Sequence, residues 1–295
     1  IPEEGQSERL MLKYYDFLWS IREFLQRDYD LSVLKELEKF PLRINTLDQE
    51  YYAMAAATVQ QSDDAKSSWS NVRYYVSQEN IAANKAALAE TLGIEPAKIL
   101  LPHQVHGADF CIIAPDFMAL SEEERAKVIE GVDGIFTSMT GVCIGVSTAD
   151  CIPIIIYDPE HHAACAVHAG WRGTVKRIAS KAVAEMQTTY HSNAKKLKAV
   201  IGPGISLKSF EVGQEVYDQF ASAGFDMNGI AKQMGKWHID LPECNRRELV
   251  AAGIPAENIK VSGIDTYTSN DFFSARRQGI NSGRIYTAII MEETK

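Results

Sequence analysis

The spacing of apolar positions changes once along the chain. Over residues 8–40, Leu10, Leu12, Tyr15, Phe17, Leu18, Ile21, Phe24 and Leu25 recur roughly every three or four positions, and a second run covers 31–40. That period predicts amphipathic helices. Residues 55–72, AAATVQQSDDAKSSWSNV, are small and polar and predict a loop. Residues 79–94, ENIAANKAALAETLGI, read as a helix closed by Gly93. Beyond this point the period shortens. KILLPHQVH, ADFCIIAP, DGIFTSM, GVCIGVST, CIPIIIYD, AACAVHAG, KAVIGPG, KWHIDL, IKVSGID and IYTAIIME are short apolar or β-branched runs bounded by Gly, Pro, Asp or Ser, as strands are. Helical periodicity returns between them at 121–130, 174–190, 213–223 and 242–252.

Strands at 141–148, 151–158 and 163–168 follow one another closely enough to pair as antiparallel hairpins. The expectation is an α+β fold of mixed, largely antiparallel sheets packed with helices in a layered sandwich, rather than a doubly wound parallel sheet. No internal repeat and no Pro- or Ser-rich linker divides the 295 residues, so a single domain is expected.

Composition narrows the function. The formal charge is −9, without a Lys/Arg tract, which argues against a nucleic-acid groove. Local arginines can still hold a small anion. No run approaches the roughly 18 apolar residues of a membrane span, and IPEEGQSERLMLKYYDF lacks the basic-then-apolar order of a secretory signal. Five cysteines without regular spacing predict reduced thiols and a cytoplasmic protein.

The candidate chemistry centres on Cys151 and His168, 17 positions apart and brought together if the DPEHH turn closes a hairpin. His106 ends KILLPHQVH just before Gly107, where the chain can turn sharply. Two imidazoles and one thiolate with an open fourth position are the plan of a catalytic zinc site. The alternative is a packing cysteine and hydrogen-bonded histidines, since no C-x-x-C or H-E-x-x-H spacing is present. On a strand, His103 and His106 would point to opposite faces. His161 and His162 read as an exposed turn, His191 as following a helix, and His238 as lying on a short strand without a partner. Cys111, Cys143, Cys165 and Cys244 read as packing residues. Asp150 is the catalytic candidate, a general acid/base beside a metal, with orientation of its turn or of a ligand as the alternative. Arg172 in GWRG, and Ser274, Arg276 and Arg277 with Arg284 further on, are candidates for phosphate, which guanidinium forks suit. Adjacent arginines on one strand would point opposite ways, with one pairing to a surface carboxylate.

HQVHGAD, STADC and AVHAGWRG, followed by IGPGIS (201–206), FEVGQEV (210–216) and FFSARRQGINSGR (272–284), occur in the order seen in a known family. The chain resembles the multicopper polyphenol oxidase, or laccase-like, family, whose members are also read as zinc-dependent purine nucleoside phosphorylases. The resemblance runs from about Glu79 to Ile290. It sets residues 76–295 apart as the family domain and leaves 1–75 as a helical and irregular segment outside it. It implies His106, Cys151 and His168 as metal ligands, the Q-V-H-G motif selecting His106 over His103.

Zinc is the implied metal, with copper able to occupy such a site in vitro. The implied substrates are a purine nucleoside and phosphate, with adenosine deamination as an accompanying activity. One alternative within the resemblance is a zinc amide hydrolase that edits a cell-wall precursor nucleotide. Another is a non-enzymatic zinc-binding module, which would need a fourth protein ligand. Asp150 is the nearby candidate, strained by its adjacency to Cys151. Multicopper oxidation would need many more histidines than the seven present, none in an H-x-H pair. Three departures bear on substrate affinity. A T-x-R-x-G-G-x-S-like segment is replaced by ATVQQSDDAKSSWSN, IGPGIS has Gly and Ser where cysteines are common, and GIDTYTSNDFF lacks a cysteine after the aspartate.

Overall fold

The computed structural model describes residues 78–279 and 282–291. The helical runs expected over 8–40 and the loop expected over 55–72 lie outside them. Residues 78–96 with 282–283 belong to one compact unit, and 97–279 with 284–291 to another. In the first, helix α1 (Gln78–Leu92) ends at Gly93, whose φ of 66° lets Ile94 N donate to Ala89 O at 3.0 Å. This is the left-handed glycine closure expected from the sequence.

The second unit begins with β1 (Ile99–Leu100), β2 (Phe110–Ile113), α2 (Pro115–Ala119), α3 (Glu122–Val128), β3 (Gly134–Thr137) and β4 (Cys143–Thr148). Next come β5 (Ile152–Asp158), β6 (Ala163–Ala169), α4 (Trp171–Val175), α5 (Ile178–Tyr190), β7 (Lys198–Ile201) and β8 (Glu211–Val212). It closes with α6 (Gln214–Ser222), α7 (Met227–Ile230), β9 (Ala231–Met234), β10 (Lys236–Ile239), α8 (Leu241–Ala251), β11 (Ile259–Val261), α9 (Ala275–Gln278) and β12 (Ile285–Ile290). The sheets run β11-β7-β5-β6-β3-β2, β1-β4-β12 and β8-β10-β9. Antiparallel pairs dominate, with parallel pairing at β1–β4, β2–β3 and β7–β11. This is the mixed α+β architecture expected.

The β5–β6 hairpin forms the middle of the six-stranded sheet, and every residue of both strands is buried. Alternation explains how. Ile152, Ile154, Ile156, Cys165 and Val167 join Ile178, Ala182, Met186 and Leu249 in one core, beneath α5 and α8. The opposite face meets β4 and β12. A sheet covered on both sides requires apolar residues at consecutive positions, hence the unbroken CIPIII run. Each isoleucine so buried contributes about 2 kcal/mol.

Three expectations are corrected. First, β4 and β5 form no hairpin: β4 pairs with β1 and β12, and the chain crosses between sheets at Ala149–Cys151, turning through Asp150 at φ 86°. Second, KILLPHQVH is a strand only at Ile99–Leu100. Pro102 has no N–H to continue a ladder, and a side chain takes over instead. Gln104 Nε2 donates to Ser147 O (2.7 Å) and Gln104 Oε1 accepts from Ser147 N (2.8 Å). Third, the helix expected over 174–190 divides at Arg177, which adopts φ 63°. Its guanidinium pairs with Glu248, donates to Ala223 O at 2.6 Å and lies 3.6 Å from the Phe225 ring centre.

Candidate metal centre

The β5–β6 register places Ile152 opposite Ala169 and Pro153 opposite His168, so Cys151 meets the chain near Gly170. His106 arrives from the loop after β1 in a left-handed conformation (φ 60°). The donor atoms of His106, Cys151 and His168 lie within 4.8 Å of one another. The two imidazoles meet edge to face, with centroids 4.8 Å apart. Gly170 lies against all three: a Cβ there would be 2.8 Å from His106 Cδ2 and 3.1 Å from Cys151 Sγ. Exposure is graded, with His168 buried, Cys151 half-buried and His106 exposed, so the group opens on the His106 side.

One buried carboxylate builds this arrangement. Asp133 precedes β3 and has no exposed surface. Its Oδ1 accepts from His168 Nδ1 (2.7 Å) and His106 N (2.9 Å), and its Oδ2 accepts from Gly107 N (2.6 Å). His168 N also donates to Asp133 O at 2.7 Å. A carboxylate can only accept, so the His168 proton sits on Nδ1 and Nε2 is left for a metal.

The electrostatics follow from these contacts. Burial opposes ionisation of Asp133, but hydrogen bonds from His168 and Gly107 outweigh it and lower its pKa. Burial likewise opposes a charge on His168, yet Asp133 and Cys151 raise it to about 9. The Cys151 thiol, penalised by desolvation, is drawn down to about 6 by hydrogen bonds from His106 and His168 and by their charge. A thiolate is the metal-binding form of cysteine. By contrast, burial raises Cys111 and raises Cys143 to about 12. Burial also pushes Cys165 and Cys244 up; these two and Cys143 are packed in the interior.

The donor set fits a divalent metal. One sulfur and two imidazole nitrogens suit zinc, and three protein ligands leave one position for substrate or water. Among the described residues no fourth Cys, His, Asp or Glu joins the group, as a closed structural zinc site would require. Of the other histidines, His103 is exposed and pairs with Glu130 at 2.5 Å rather than occupying the far face of a strand. His161 Nδ1 lies 2.8 Å from Asp158 Oδ2 in the turn after β5. His238 Nδ1 lies 3.0 Å from Leu207 O and donates to it, so it does have a partner.

The remaining candidates divide. Asp150 stands beside Cys151, 8 % exposed. Its Oδ1 accepts from Thr266 Oγ1 (2.7 Å) and its Oδ2 from Arg276 N (2.6 Å), the contacts of an orienting group. Arg172, in the first turn of α4, is exposed with its guanidinium 4.4 Å from the Trp171 ring centre. Arg276 reaches Glu211 O through Nη1 (3.0 Å) and lies 5.6 Å from the Phe210 ring centre. Arg277 is committed to backbone: Nη1 donates to Thr266 O, Tyr267 O and Ser269 O, and Nη2 to Phe272 O. Ser274 is buried, and its Oγ accepts from Arg277 N at the start of α9 (3.2 Å). Sequence reasoning missed Asp133, Gln104, Gly170 and Thr266. Asp133 did leave a signal, as a lone acid at the head of the apolar run GIFT.

A Cys/His₂ group that could hold a metal ion, open on one side and mounted on an α+β sandwich, is the feature the fold presents. Residues 61–292 match the family described as "Multi-copper polyphenol oxidoreductase laccase", and the chain belongs to that family. It is 40 % identical over 219 residues to a purine nucleoside phosphorylase of Bacteroides thetaiotaomicron, covering 73 % of this chain and 81 % of the relative. It is also 40 % identical over 243 residues to adenosine deaminase RL5 from an unknown prokaryotic organism, covering 80 % and 92 %. The crystal structure of YlmD from Geobacillus stearothermophilus superposes with a TM-score of 0.68 at 31 % identity, covering 73 % of this chain and 81 % of that one.

Proposed function

We propose that this chain is a zinc-dependent purine nucleoside phosphorylase that cleaves adenosine and inosine with phosphate, and that the same site deaminates adenosine. The observation that carries the reading is the open His106–Cys151–His168 group, buried at His168 and exposed at His106. The names of the relatives supply the substrate class. In phosphorolysis a phosphate oxygen bonds to ribose C1′, the C1′–N9 bond breaks, and the purine leaves with a proton. A bound zinc would supply a Lewis acid and bring the pKa of water to about 7.

The chain's own residues hold and orient. Asp133 holds both histidines, and Arg172, exposed and four positions after His168, would offer a guanidinium to phosphate. Arg276 keeps part of its fork for the same purpose, while Arg277 and Ser274 serve the loop behind. Copper suits the same soft donors, but an oxidase would need further copper sites. All seven histidines lie among the described residues, which contain a single metal-type group.

The test is turnover of adenosine and inosine by the purified protein, with and without phosphate. Free base and ribose 1-phosphate should appear only with phosphate, and ammonia should appear from adenosine without it. Metal-loaded protein that turns over neither nucleoside would reject the reading and direct attention to amide hydrolysis of a cell-wall precursor nucleotide.

A further inference from the structure

Three sequence segments meet at the residue before Cys151, one at its backbone carbonyl and two at its carboxylate. Asp150 adopts φ 86°, uncommon for a residue with a Cβ, and the residue after it is Cys151. The direction of the Cys151 side chain therefore depends on what holds Asp150 in that conformation. Its backbone O accepts from Ile205 N at 2.8 Å, within IGPGIS. Its Oδ2 accepts from Arg276 N at 2.6 Å, within SARRQG. Its Oδ1 accepts from Thr266 Oγ1 at 2.7 Å, and this is the side-chain donor among the three.

Thr266 is fully buried and is itself anchored. Its N donates to Gly204 O (3.2 Å), and Gly204 N donates to Ile264 O (3.2 Å). Gly204 lies close against the turn: a Cβ there would stand 2.4 Å from Ile152 Cδ1, 3.2 Å from Asp150 O and 3.3 Å from Cys151 O. The loop beyond Thr266 is clamped by the Arg277 guanidinium, and Asp265 accepts from Ser206 and Ser209 hydroxyls at 2.8 and 2.5 Å. The hydroxyl of Thr266 is thus the end of a strut anchored by several hydrogen bonds, and it reaches the turn through the Asp150 carboxylate.

We propose that Thr266 is a positioning residue: through Asp150 it fixes the turn that aims Cys151 at the metal. Asp150, on this account, is spent on orientation, with both oxygens engaged. The proposal rests on the three-residue group holding a metal, but not on which substrate the metal serves.

The experiment compares Thr266→Val, which keeps shape and loses the O–H donor, with Thr266→Ser, which keeps the donor. Cobalt-substituted holoprotein is followed by its thiolate-to-cobalt absorption, and zinc affinity by competition with a chelator. Thr266→Val should shift the band and weaken zinc binding about 10-fold to 100-fold, as loss of a supporting hydrogen bond does at other metal sites. Thr266→Ser should restore both. An unchanged band and affinity in Thr266→Val, or equal loss in Thr266→Ser, would overturn the proposal. If Thr266→Val does not fold, Thr266→Ala removes the same O–H donor without setting a methyl group against the carboxylate. A wild-type cobalt band in that variant would overturn the proposal as well. Absence of a thiolate band in the wild-type protein would instead defeat the metal-centre reading itself.

Discussion

Cys151→Ala is expected to lose metal and nucleoside turnover together while keeping its fold. A zinc site with four protein ligands is worth about 10–16 kcal/mol, which assigns roughly 3–4 kcal/mol to one ligand. That corresponds to about two to three decades of metal affinity. The structural cost should be small, because Cys151 is half-buried at a turn whose backbone is held by Ile205 and whose preceding carboxylate is held by Thr266 and Arg276. Circular dichroism and zinc quantification on the same preparation check this. Stoichiometric zinc retained in a folded Cys151→Ala protein would refute the ligand assignment.

Asp133→Ala should be the more damaging change to the fold. Its carboxylate serves His106 N, Gly107 N and His168 Nδ1 from a position with no exposed surface. Each donor left unsatisfied costs about 1–3 kcal/mol, and breaking a buried charged partnership typically costs about 3–5 kcal/mol. Against a domain stability of about 5–15 kcal/mol, that is a large fraction. At roughly 2–4 °C per kcal/mol, the melting temperature should fall by about 10 °C. Asp133→Asn keeps one acceptor and should fold better, with zinc affinity about 10-fold to 100-fold below wild type. A melting temperature and zinc affinity unchanged in Asp133→Ala would show that the carboxylate holds nothing together.

What the sequence made legible followed physical rules that act locally. The β5–β6 hairpin announced itself through two apolar runs and a DPEHH turn, and its register brings Cys151 to His168 without further information. The helix at Gln78–Leu92 announced its end at Gly93. The sequence misled where a distant partner overrides local pattern. Nothing around Asp150 says that the chain changes sheet there, because the donors that hold its φ at 86° come from residues 205, 266 and 276.

Asp133 looked like a strand boundary, and its role exists only once Gly134 pairs with Val167 and sets it beside His168. Arg277 shows the same limit from the other side. A guanidinium in a basic motif was legible as a multiple donor, but its acceptors proved to be four carbonyls of its own loop. Residue type indicated the chemistry available, whereas tertiary packing chose the partner.

The central claim is that His106, Cys151 and His168 hold a single zinc on which nucleoside cleavage depends. The most direct measurement strips the protein with a chelator and returns zinc in steps while inosine phosphorolysis is followed. The account predicts negligible turnover at the start, a linear rise, and a break at one zinc per chain. Full turnover by the zinc-depleted protein, or zinc bound at one per chain with no turnover of inosine, would contradict it.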